Sequence, residues 1–109
     1  MGREKGQRVA LLRSLARSLV LQEGIVTTVA KAKELRPFVE RLVTTGKANT
    51  VASRRLLSTR LGGAADAVTK LHGELRERYA ERKGGYTRII QLGKIGKQAT
   101  QSARIEFVK

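Results

Sequence analysis

At 109 residues and 12.0 kDa the chain can form one compact domain, in which folding hides roughly two-thirds of the open chain's surface, and is too short for a multidomain machine. Lysine and arginine number 23 against 9 acids, a net charge of +14, while 40% apolar content is too rich for a wholly disordered polycation. The absence of cysteine excludes a disulfide framework, a thiolate zinc site and a thiol nucleophile, and a single histidine excludes a histidine-rich metal site. Residues 1–7 hold Arg3 and Lys5 among glycines with no apolar period, which predicts a flexible basic arm ahead of a single domain over 8–109.

From Arg8 to about Leu21, Leu11, Leu12, Leu15, Ala16, Leu19 and Val20 recur at helical spacing, with Arg13, Ser14, Arg17 and Ser18 opposite. This predicts an amphipathic helix with a basic back. Its arginine and serine content also suits a mitochondrial leader, against which Glu4 and the lack of a second domain start both count. Gly24 is expected to end the helix, Ile25-Val26-Thr27-Thr28 to form a strand, and Thr28 to cap the next helix. In that second helix, from Ala30 to Thr45, Ala32, Leu35, Phe38, Val39, Leu42 and Val43 share one side, and Pro37 on the polar side predicts a kink rather than an end.

Gly46 to Asn49 reads as a turn and Thr50 as a cap, opening a third helix over 51–61 with Ala52, Leu56, Leu57 and Leu61 inward and Arg54, Arg55 and Ser58 outward. Gly62-Gly63 breaks it. Asp66 is expected to cap a fourth helix to about Arg82, with the stripe Val68, Leu71, Leu75 and Tyr79, and His72 at its edge as a partly buried, hydrogen-bonded residue. After Gly84-Gly85, strands are predicted over 86–92 and 102–108, joined by the polar loop 93–101. The first strand is expected to pair with this C-terminal hairpin, giving an α/β (α+β) fold of four helices and a three-stranded sheet.

A surface carrying +14 is best relieved by a polyanion, either nucleic acid or an anionic membrane. Fourteen of the 23 cations are arginine, whose planar fork grips phosphate, which tilts the choice to nucleic acid. No apolar run reaches the roughly 18 residues of a membrane span. Residues 64–82 carry 4 basic and 4 acidic side chains, whereas 1–63 carry 13 and 4 and 83–109 carry 6 and 1. The fourth helix, with Glu74, Glu77 and Glu81, is therefore expected to face away from the polyanion.

Thr27, Thr28, Lys31, Lys33 and Arg36 gather hydroxyls, free amides and cations at a helix start, the chemistry a phosphate needs. The bland reading of the same residues is a threonine cap and a solvated lysine face. Arg13 with Arg17, and Arg54 with Arg55, form basic patches, and Lys94 and Lys97 lie in a glycine-containing loop expected to be a basic hairpin tip. The acids are spaced for helix-surface pairing, such as Glu74 with Arg78 and Arg36 with Glu40, and leave no general acid and base pair. No catalytic residue, metal, cofactor or small-molecule substrate is expected. Tyr86 reads as a core or hinge-packing residue.

The chain resembles the bacterial large-subunit ribosomal protein family L-seventeen. The resemblance rests on Arg8 with Ala10-Leu11-Leu12-Arg13 and Leu15-Ala16, on Thr27-Thr28 with Ala30-Lys31-Ala32-Lys33-Glu34-Leu35-Arg36-Pro37, on Arg54-Arg55, and on Arg82 with Gly84-Gly85-Tyr86-Thr87-Arg88-Ile89. It implies a non-enzymatic α/β protein bound to large-subunit ribosomal RNA near the peptide exit region, beside neighbouring ribosomal proteins. The family's RNA-contacting pattern falls here on Arg8, Arg13, Thr27, Thr28, Lys31, Lys33, Arg36, Arg54, Arg55, Tyr86, Thr87 and Arg88. Members have a longer basic arm before the first helix, and a histidine where Gln7 stands. A cytoplasmic ribosome is the expected setting, and an organellar one fits as well. The competing reading is a free architectural or regulatory protein on DNA, for which the third helix, with Asn49, Arg54 and Arg55, would be the reading element.

Overall fold

A computed structural model describes the backbone of residues 2–94 and 101–109. In chain order it has α1 (Gly2–Gln22), β1 (Gly24–Thr28), α2 (Val29–Lys47), α3 (Val51–Arg60), a broken fourth helix, β2 (Thr87–Lys94) and β3 (Gln101–Phe107). The fourth helix runs as α4 (Ala65–Lys70), a π-helical turn (Leu71–Leu75) and α5 (Arg76–Arg78). Among the described residues there are thus four helices and a three-stranded antiparallel sheet, as the sequence implies, with strand order β1-β3-β2.

The alternation in β3 aims Ala103, Ile105 and Phe107 at the helices, and the register lines Ile25, Ile105 and Ile89 across the three strands. A bulge between Gln91 and Gly93 adds one residue to β2, made possible by Gly93 at φ 76. Against this face lies α2, whose Ala32, Leu35, Val39, Leu42 and Val43 are buried as the 3.6-residue period requires. Ala16, Leu19 and Val20 of α1 and Val68, Leu71, Leu75 and Tyr79 of the fourth helix close the core. Tyr79 packs its ring 5.1 Å from Tyr86 and 6.2 Å from Phe107, and its hydroxyl donates to the carbonyl of Val108. The helix continues through the exposed Pro37.

Several local expectations are corrected. The first helix starts at Gly2 rather than Arg8, because an established helix gains one bond per added residue and Arg3, Glu4, Lys5 and Gln7 are good helix formers. Leu11 faces solvent. Its stop is Glu23, at φ 66, and not Gly24. The left-handed backbone is held there because the Glu23 carboxylate binds Arg78 and, at 3.0 Å, Lys70 of the fourth helix. Gly24 instead opens β1, where a Cβ would lie 2.2 Å from Nη2 of Arg104. The second helix extends to Lys47, and Asn49, at φ 50, takes the turn.

In α3, Ala52 and Leu56 are exposed and Ser53 is buried in their place. Burial of Ser53 is tolerated because its hydroxyl is spent in a capping box: it accepts from the Thr50 amide at 3.0 Å and donates to the Thr50 carbonyl at 2.9 Å. Asp66 lies inside the first turn of α4, where Ala64 holds the cap position. His72 is 3% exposed, and neither ring nitrogen has a partner among the described residues. Burial first, then Arg54 and Arg76, lowers its pKa, so the imidazole stays neutral at pH 7.

The Glu23 junction makes a pH prediction. Its hydrogen bond from Arg78, with Lys70 adding to it, holds the carboxyl down at about 2 against an ordinary 4.5. A depressed carboxyl contributes stability above its unfolded pKa and loses it as pH falls. Urea midpoints should therefore drop between pH 4.5 and about 2 in the wild type. In Glu23→Gln that part of the drop should be absent; an unchanged acid profile would show that the junction adds nothing.

Candidate nucleic-acid interface

The switch from strand to helix at Thr28 organises the first cluster. Thr28 is extended, at φ −75 and ψ 154, and its hydroxyl accepts from the Lys31 amide at 3.2 Å, fixing the entry to α2. Because Ala32 and Leu35 must point inward, Lys31, Lys33 and Arg36 are driven to the exposed side. None of the three has a carboxylate partner among the described residues. Thr27 is half-buried on the sheet, paired in register with Ala103.

A second cluster sits at the start of α3, where Asn49, Thr50, Val51, Arg54 and Arg55 line a shallow depression and both arginines reach solvent. Arg13 of α1 lies over the turn after α3, since a Cβ on Gly62 would sit 3.6 Å from its Cδ.

Of the remaining arginines singled out in the sequence, Arg8, Arg17 and Arg88 are tethered. Arg8 donates to Glu34 at 3.0 Å, and Arg17 grips Asp66 with two bonds of 3.2 and 2.7 Å. Arg88 and Arg104 share Glu106, at 2.7 and 2.9 Å, and the two guanidiniums, Arg88 foremost, hold that carboxyl below the usual range.

Tyr86 and Thr87 sit in the interior, each 2% exposed. The Tyr86 hydroxyl lies 3.2 Å from the Lys47 ammonium and 3.2 Å from the Arg82 carbonyl. Their amides donate to Glu40, Tyr86 at 3.3 Å and Thr87 at 2.8 Å, and the Thr87 hydroxyl donates to the same carboxylate at 2.9 Å. These two residues therefore shape the corner that delivers Arg88 to the surface, with their polar atoms already occupied. Glu40 is the residue whose role periodicity hides: it binds this corner and not Arg36 as the i,i+4 spacing predicts. Arg41 and Arg60, not singled out by the sequence, flank a concave surface bounded by Gly84 and Tyr86. Lys94 is exposed at the end of β2. Lys97 and the side chains of Arg3 and Lys5 lie outside the described residues.

Among the described residues no three histidine, cysteine or acidic side chains gather to hold a metal, and no helix is long and apolar enough to cross a membrane. Residues 11–108 match the family described as Ribosomal protein L17. The chain belongs to that family. Its relatives include large ribosomal subunit protein bL17 of Anaplasma marginale (strain Florida), 52% identical over 97% of this chain and 82% of that protein. The bL17 of Novosphingobium aromaticivorans is 47% identical over 99% of this chain and 76% of its own length. That of Staphylococcus epidermidis is 44% identical over 99% and 96%. The family is one of structural, non-enzymatic ribosomal proteins, and nothing in the match favours a DNA-acting regulator. Arg54 and Arg55, the core of that alternative, are part of the family-matched region.

Proposed function

We propose that the chain is a structural constituent of the large ribosomal subunit, in the cytoplasmic ribosome near the peptide exit region, where it binds and holds large-subunit ribosomal RNA. The observation that carries this reading is the family match over 11–108, in relatives named as large-subunit proteins. The exposed cations at the starts of α2 and α3, with Arg13 and Lys94, supply the phosphate contacts, and Arg3, Lys5 and Lys97 extend them. Shape and backbone recognition dominates, since ribosomal RNA helices display phosphates and 2′-hydroxyls rather than readable base edges. The later half of the fourth helix and the turn after it expose Glu74, Glu77 and Glu81 and face neighbouring proteins or solvent.

Sedimentation of a cell lysate tests the reading. The chain is expected to travel with the large subunit and to prefer large-subunit ribosomal RNA over duplex DNA in competition binding. Migration free of ribosomes, or a preference for duplex DNA, would overturn it.

A further inference from the structure

The Arg17 and Asp66 pair differs from the other ion pairs of the fold. Arg17 presents its fork edge-on, Nε to Oδ1 at 3.2 Å and Nη2 to Oδ2 at 2.7 Å, the arrangement a guanidinium also adopts with a phosphate. Both side chains are about half exposed, at 54% and 46%, so solvent and a larger anion reach them. The Glu23 junction, by contrast, holds one carboxylate between Lys70 and Arg78, which are only 17% and 22% exposed. Arg8 touches Glu34 through one bond, and Glu106 is divided between two arginines. Asp66 also accepts from the Ala67 amide at 2.8 Å, so it keeps a partner when the guanidinium leaves. Arg17 and the segment Leu61 to Asp66 line one open concavity, bare of side chains at Gly62 and Gly63, and Arg13 extends over Gly62 beside it.

We infer that Asp66 is an internal stand-in for an RNA phosphate: in the free protein its carboxylate fills the Arg17 fork, and on the ribosomal RNA a backbone phosphodiester displaces it and is held by Arg17 with Arg13. This inference rests on the proposed RNA-binding function and adds to it a defined phosphate seat with a built-in competitor. Asp66 therefore weakens RNA binding and keeps Arg17 oriented until the phosphate arrives.

The test compares Asp66→Asn, which keeps the acceptor for Ala67, with Glu77→Gln, which removes an exposed negative charge on the fourth helix that forms no ion pair among the described residues. Affinity for bacterial large-subunit ribosomal RNA at low salt should rise about three- to tenfold in Asp66→Asn, more than in Glu77→Gln, and the excess should vanish when Arg17→Gln is added. A gain no larger than that of Glu77→Gln, or a weaker binding, would overturn the inference and leave Asp66 with no competing role, only that of positioning Arg17. A second arm does not depend on ribosomal RNA: titration with inorganic tripolyphosphate, followed by the Arg17 Nε–Hε resonance, should shift that resonance at lower concentration in Asp66→Asn than in the wild type. Equal titrations would contradict the exchange. If the wild type ignores ribosomal RNA while this shift occurs, the ribosomal reading falls and the anion seat remains.

Discussion

Replacing Glu40 by alanine is expected to destabilise the chain by about 2 to 4 kcal/mol, because it leaves two backbone amides and a buried hydroxyl without their shared acceptor. The carboxylate of Glu40 is the point where α2 ties down the start of β2, through the Tyr86 and Thr87 amides and the Thr87 hydroxyl. Glu40→Gln keeps one acceptor oxygen and should lose roughly half as much. Urea denaturation reads both. A loss below about 0.5 kcal/mol for the alanine variant would mean that water replaces the carboxylate and that the other contacts of Tyr86, to Lys47, the Arg82 carbonyl and the Val108 amide, hold the corner.

The second large effect concerns binding. Lys31→Gln, Lys33→Gln and Arg36→Gln together should weaken affinity for large-subunit ribosomal RNA about a hundredfold at low salt, at roughly 1 kcal/mol for each lost phosphate contact. Stability should hardly change, since the three side chains are exposed and form no ion pairs among the described residues. The dependence on salt should also flatten, by about 2 to 3 in the slope of log affinity against log salt. Binding unchanged by the triple substitution would move the RNA to another face of the molecule.

How far the sequence reveals such a molecule depends on whether the deciding interaction is local. The second helix is legible because its apolar period, its threonine cap and its flanking strand all act within a few residues. So is the sheet order, once the alternation of Ala103, Ile105 and Phe107 demands a covered face. The third helix is misread for a physical reason: Ser53 goes inward because Thr50 satisfies its hydroxyl, a pairing four residues long that hydrophobic periodicity does not count. Glu23 as the helix stop, Asp66 as the partner of Arg17 and Glu40 as the anchor of Tyr86 and Thr87 all depend on residues more than 40 positions away. The cations of the interface are visible as charge, while the division between tethered Arg8, Arg17 and Arg88 and, among the described residues, unpaired Lys31, Lys33 and Arg36 exists only in three dimensions.

Binding to the large subunit is expected to rest on neutralisation of ribosomal RNA phosphates by the exposed cations of this fold. Its most direct measurement is the affinity of the intact chain for purified large-subunit ribosomal RNA over a series of salt concentrations. With about six phosphates engaged, log affinity should fall against log salt with a slope near −4 to −5. A slope near zero, or no binding in dilute buffer, would contradict it.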